Sequence, residues 1–97
     1  MISLSEIKEI VESKRDHLSM AYGVKSISVF GSYAKKTQTN ESDLDLLVEI
    51  SKPISLLKLI ALENYLSDLL ELKVDLVPKN NIRKELKESI ANEALSI

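Results

Sequence analysis

The sequence predicts an α/β (α+β) protein, a small mixed β-sheet packed with helices in the order αβ(α)βαβα. Three observations predict it. Apolar residues recur at helical spacing near both ends and over residues 56–70. A clean two-residue alternation runs through Asp43–Ile50, and two shorter runs rich in β-branched residues, Lys25–Phe30 and Lys73–Val77, lie between the helical stretches. Helices interleaved with strands bury their apolar faces against a sheet. The 97 residues amount to one domain, so 1–97 is read as a single unit.

Each element has its own signal. Ser3 followed by Glu6 fits a capping box. Ile7, Ile10, Val11, Leu18 and Ala21 continue it at helical spacing, and Gly23 is a stop, so a helix is predicted from about Leu4 to Tyr22. Lys25–Phe30 is a strand that Gly31 ends, and Ser32 to about Lys36 is a short helical turn. Thr37–Ser42 holds no apolar residue and reads as a loop. In the strand Asp43–Ile50, Leu44, Leu46, Val48 and Ile50 point to one face, and Asp43, Asp45, Leu47 and Glu49 to the other. Pro53 and Ser55 punctuate before an apolar helix, Leu56–Leu70. Lys73–Val77 is a third strand. Pro78 and Asn80-Asn81 precede a last helix over about Ile82–Ala94. The helix between the second and third strands is long enough for a parallel, right-handed crossover. The connection from first to second strand fits an antiparallel pair or a tight crossover.

Composition narrows the function. Cysteine is absent, which excludes disulfides and thiolate metal sites. Any metal would sit on oxygens or on His17, the only histidine, and that residue is expected to be structural or solvated rather than a ligand. With 13 basic and 15 acidic residues, and arginine only at Arg15 and Arg83, the positive excess of a dedicated DNA-binding domain is missing. The most apolar stretch, Ile54–Leu72, carries Lys58, Glu63, Asp68 and Glu71 and is no membrane span. No secretory signal follows Met1, so a cytoplasmic location is expected.

The chemistry gathers in three places. Asp43 and Asp45, two apart on a strand, share a face about 6–7 Å apart. Such a pair can bracket one cation or two, and hard oxygen ligands suit Mg²⁺ or Mn²⁺. Asp75 lies near the start of the third strand. If that strand runs parallel beside the second, Asp75 joins them, and three carboxylates so close repel one another without a cation. Gly31-Ser32, at a strand end, lets backbone approach a phosphate. A metal cluster beside a phosphate cradle suits phosphoryl or nucleotidyl transfer. Each feature has a bland alternative: a solvated strand rim, an isolated edge charge, an ordinary turn. The joint pattern Gly31-Ser32-x-Ala34, Ser42-Asp43-x-Asp45 and a carboxylate in the next strand is the specific one.

That pattern, in GSYAKKTQTNESDLDLLVEI and in the closing KVDLVPKNNIRKELKESIANEAL, resembles the minimal nucleotidyltransferases of the DNA polymerase beta-like superfamily. The resemblance covers nearly the whole chain. It implies a nucleotidyltransferase fold, ATP as donor and two Mg²⁺ ions, with Mn²⁺ as a substitute. Asp43 and Asp45 would ligate both metals. Asp75 would complete the second metal site and help activate the attacking hydroxyl. Gly31 and Ser32 would hold the triphosphate, with Lys35 and Ser42 counted among the donor-binding residues. It further implies an antitoxin that moves AMP to a hydroxyl, a tyrosine, of a HEPN-type toxin. The alternatives are an antitoxin that neutralises by binding alone and, ranked last, transfer to RNA or a small molecule. Where the family often reads Ala-Arg-Gly, this chain has Ala34-Lys35-Lys36. A lysine meets phosphate as a point charge without arginine's planar fork, and the loop lacks its glycine.

Three further features stand outside this pattern. Tyr33, between motif residues, either flanks the nucleotide or lies on the surface. The cluster Arg83, Lys84, Lys87 is read as a solvated helix face. The apolar residues of Leu56–Leu70 cover more than one stripe. The excess is either extra core or a surface for homo- or hetero-oligomeric contact, and the partner surface is the expectation.

Overall fold

The alternating stretch is the centre of the sheet. In the computed structural model the described residues are 2–39, 41–79 and 84–97. They form α1 (Leu4–Ser13), α2 (Arg15–Tyr22), β1 (Val24–Phe30), α3 (Gly31–Lys35), β2 (Leu44–Ile50), α4 (Leu56–Leu70), β3 (Val74–Pro78), α5 (Lys84–Glu93) and β4 (Leu95–Ser96). The sheet order is β3-β2-β1-β4. β1 is antiparallel to β2 and to β4, and β2 is parallel to β3. The short connection through α3 therefore makes an antiparallel pair, and the long one through α4 makes the expected parallel crossover.

Leu44, Leu46 and Val48 are fully buried, and they meet Ile7, Val11, Leu18, Leu62 and Leu66 in one core. α4 thus covers the face to which the even-numbered residues of β2 point. β3 and β4 are the two edge strands of the sheet. The odd-numbered residues of β2, Asp45 among them, point to the other face. Leu47, on that face and outside the main core cluster, is also buried.

β3 is an edge strand with an edge that is occupied. The Val74 N–H donates to Ser67 Oγ (3.1 Å) and the Leu76 N–H to Glu63 Oε2 (3.0 Å), both from α4. Pro78, next in that alternation, has no N–H to satisfy. Side-chain capping and proline together deny the edge to a foreign strand.

Three expectations need correction. The single helix Leu4–Tyr22 is two helices. The Ser13 hydroxyl donates to Ile10 O (2.6 Å) and the Lys14 N–H to Val11 O (3.0 Å), which tightens the turn and breaks the helix at Lys14 (φ −112°, ψ 11°). A fourth strand, Leu95–Ser96, pairs with β1 beyond the predicted order αβ(α)βαβα. Tyr33 is neither a nucleotide flank nor a surface residue: it is 4% exposed and belongs to the core. The Ser3 cap forms, its Oγ accepting the Glu6 N–H (3.1 Å), but Glu6 Oε1 accepts from the Ser3 hydroxyl rather than from its backbone N–H, so the box is half made; the stop at Gly23 (φ 71°) forms as read. His17 lies against Tyr22 and Tyr65, with ring centroids 6.1 and 5.2 Å away, in an aromatic contact between α2 and α4. Of the last predicted helix, Ile82 and Arg83 lie outside the described residues, and the described helix is Lys84–Glu93.

Lys36 ends α3 in the left-handed conformation (φ 60°, ψ 34°). This is the position of the family's usual glycine, and a side chain pays there for what glycine does freely. Lys36→Gly is expected to raise stability by up to about 1 kcal/mol, seen as a higher urea midpoint at unchanged slope.

Candidate active site

The turn from β1 into α3 and the first residues of β2 are built against each other. Phe30 pairs with Asp45 across β1 and β2. The next residue, Gly31, has φ 71°, a conformation that β-carbon-bearing residues rarely take. Its bare α-carbon sits directly under the Asp45 carboxylate. A β-carbon built there would lie 2.2 Å from Asp45 Oδ2 and 3.1 Å from its Cγ. The glycine thus brings backbone and carboxylate within one van der Waals layer.

Asp75 is Asp45's register partner in the parallel pair of β2 and β3, so the two α-carbons are about 5 Å apart on adjacent strands. Asp43 precedes β2 by one residue, and by alternation it shares Asp45's face. Partial burial raises the Asp45 pKa above the usual 3.8, and the charges of Asp75 and then Asp43 raise it further. The three predicted carboxylates therefore do converge. Among the described residues, however, no three acidic or histidine side chains close to the spacing that encloses an ion. Asp43 Oδ2 instead lies 3.7 Å from Lys73 Nζ.

The remaining predicted residues fare differently. Ser32 stands on the first turn of the five-residue α3, beside Gly31. Lys35 Nζ is 3.4 Å from Glu93 Oε1, which ties it to the end of α5. Ser42 Oγ accepts the Thr39 N–H (2.8 Å), so its hydroxyl is tied to Thr39. The acidic group forms an open shelf at the sheet's rim. A cavity of about 320 Å³ lies at the opposite end of β2 and β3, lined by residues such as Ile50, Ile54, Leu59 and Pro78, and none of the carboxylates borders it. Lys73 was missed by sequence reasoning, although a signal existed: it stands two residues before Asp75 and so shares its face.

A mixed sheet with a Gly-Ser turn at one strand end, an Asp-x-Asp at the next and a third aspartate beside it defines an enzyme of nucleotidyl transfer. The chain matches the nucleotidyltransferase domain over residues 4–97 and belongs to that family, as one of its minimal members. A Methanocaldococcus jannaschii protein provisionally named a protein adenylyltransferase is 55% identical over the whole of both chains. The protein adenylyltransferase MntA of Thermococcus cleftensis is 38% identical over 100% of this chain and 98% of its own. A solved structure, provisionally a minimal nucleotidyltransferase, superposes with a TM-score of 0.84 at 30% identity, covering 99% of this chain and 97% of that one. Two more distant structures share the fold. A toxin–antitoxin complex with AMP-PNP has TM-score 0.75 at 24% identity, over 93% of this chain and 70% of that one. A tri-AMPylated Shewanella oneidensis HEPN toxin with its MNT antitoxin has TM-score 0.66 at 21% identity, over 93% and 66%.

Proposed function

We propose that this nucleotidyltransferase moves AMP from ATP to a protein hydroxyl, a tyrosine of a HEPN-type toxin, and so acts as that toxin's antitoxin in the cytoplasm. The observation that carries the reading is the Asp45 carboxylate seated on the bare α-carbon of Gly31, with Asp43 and Asp75 on the same rim. The names of the relatives and the toxin complexes of the same fold support the acceptor class and the partner.

The donor set fits a divalent cation: three hard carboxylates, one with its charge disfavoured by burial and then by the other two. Closing on an ion takes rotation of side chains and release of Asp43 from Lys73. Asp43, Asp45 and Asp75 would hold two Mg²⁺ ions, which supply charge neutralisation at the phosphates and a more acidic acceptor hydroxyl. The chain's own residues do the rest. Gly31 and Ser32 let the triphosphate approach the backbone. Asp75, on the exposed rim, accepts the hydroxyl proton as the acceptor oxygen bonds to the α-phosphorus. The bond to the bridging oxygen breaks, and pyrophosphate leaves with the electron pair.

Leu56, Leu57 and Ile60 are 71%, 80% and 45% exposed at the start of α4, a surface suited to a partner. Leu57→Lys is expected to change stability by less than about 0.5 kcal/mol and to weaken the partner complex in a pull-down. Among the described residues no helix is long and apolar enough to cross a membrane.

The metal reading is tested by thermal unfolding. Mg²⁺ with ATP should raise Tm more than either alone, corresponding to about 2.7 kcal/mol at one hundred times Kd. No shift at millimolar concentrations would refute it. The pairing of Lys35 with Glu93 favours a second reading, in which the protein neutralises its partner by binding alone. Under it, ATP would stabilise the complex and no AMP would be transferred.

A further inference from the structure

We propose that Lys73 is a positioning residue of the acidic site: an internal counter-ion that holds the Asp43 carboxylate and gives it up when a divalent cation arrives. This rests on reading the three aspartates as the cation site.

The placement is set by the backbone. The Leu44 N–H donates to Lys73 O (2.9 Å), and Leu44 pairs with Val74. Asp43 and Lys73 therefore stand opposite one another, one step before the pair Asp45–Asp75. The rim is a square of four side chains, three acidic and one basic, in two facing pairs. Lys73 Nζ reaches Asp43 Oδ2 at 3.7 Å. The other two corners are both carboxylates, and no ion pair reaches either of them among the described residues. The lysine side chain is 80% exposed. Such a pair adds little to stability, and its long, mobile chain can leave at low cost. Its consequence lies in charge. A cation entering between Asp43 and Asp45 meets one carboxylate already neutralised and a positive group beside it. The same ammonium, once free, adds a positive charge to the rim at which an anionic nucleotide would bind. The lysine therefore opposes a bare cation and favours an anionic nucleotide.

Two measurements test this on the full chain. The first needs no metal. Thermal unfolding at low ionic strength with chelator present compares wild type, Lys73→Met, Asp43→Asn and the double variant. Lys73→Met should lower Tm, because it leaves three uncompensated carboxylates. That drop should vanish in the Asp43→Asn background and shrink with added salt. An equal drop in both backgrounds, or none in either, overturns the proposal whether or not the protein binds metal. The second measurement titrates Mn²⁺ alone and, separately, metal-free ATP, with direct binding as readout. Lys73→Met should bind Mn²⁺ about three- to tenfold more tightly and ATP more weakly by a similar factor, and Lys73→Arg should restore both. Mn²⁺ affinity that falls or stays unchanged contradicts the assignment. A wild-type protein that binds no Mn²⁺ while the metal-free coupling persists refutes the cation reading and leaves the Lys73–Asp43 pair standing.

Discussion

Gly31→Ala is expected to remove nucleotide transfer and to destabilise the protein. Two effects add. The backbone at φ 71° suits glycine, and forcing a β-carbon into it costs about 1–3 kcal/mol. The new methyl would also fall 2.2 Å from Asp45 Oδ2. The carboxylate end must swing away, and it swings from the place where it meets Asp43 and Asp75. A shift of an ångström in a positioned group costs about 100-fold in rate. Thermal unfolding and an adenylylation assay check the two halves separately. An alanine variant with wild-type Tm and wild-type transfer would mean that the contact between glycine and carboxylate has no role.

Asp45→Asn should cut transfer by at least about 100-fold, since even the outer partners of a metal site cost 10–100-fold when removed. Its effect on stability should have the opposite sign. In the folded protein the Asp45 pKa is raised above 3.8 by burial and by Asp75 and Asp43. The fold therefore prefers the protonated form. Its stabilising contribution is complete below pH 3.8 and is lost as pH rises through the raised value. At neutral pH the charge is a burden that asparagine lifts. The metal-free variant should melt at a higher temperature than wild type at pH 7, and the difference should fade toward acid pH. Equal or lower stability at pH 7 would show that the carboxylates are not in electrostatic contact. This behaviour is the trade expected of a functional site, where like charges are held together at a cost to the fold.

The sequence carried much of this because its strongest signals are local. The alternation in Asp43–Ile50 puts Leu44, Leu46 and Val48 on the core face and leaves Asp45 on the other, and the fifteen residues of α4 begin where Ser55 caps them. The parallel pairing of β2 and β3 follows from the length of that helix, and with it the neighbourhood of Asp45 and Asp75. What escaped depends on distant parts of the chain. Lys35 looked free for a phosphate because Glu93, its partner, is far away in sequence. Tyr33 read as either a nucleotide flank or a surface residue because it sits inside the motif, yet a single turn of α3 points it into the core. Two-residue β4 is too short for any periodic signal and exists only because β1 offers an edge. The break at Lys14 arises from Ser13 competing for a helix carbonyl, an effect that apolar periodicity does not register. Lys73 was legible in principle, through the same two-residue spacing that linked Asp43 to Asp45.

Asp75 offers the most direct test of the central claim, that the three aspartates transfer AMP to a protein. ATP labelled at the α-phosphate is incubated with Mg²⁺, the enzyme and a HEPN-type toxin as the proposed acceptor, and the label is followed on denaturing gels for wild type and Asp75→Ala. The account predicts label on the partner with wild type, no label when the γ-phosphate carries it, and loss of label with Asp75→Ala although that variant still binds ATP. Binding of ATP and partner by the wild-type enzyme with no label transferred, or undiminished transfer by Asp75→Ala, would contradict it.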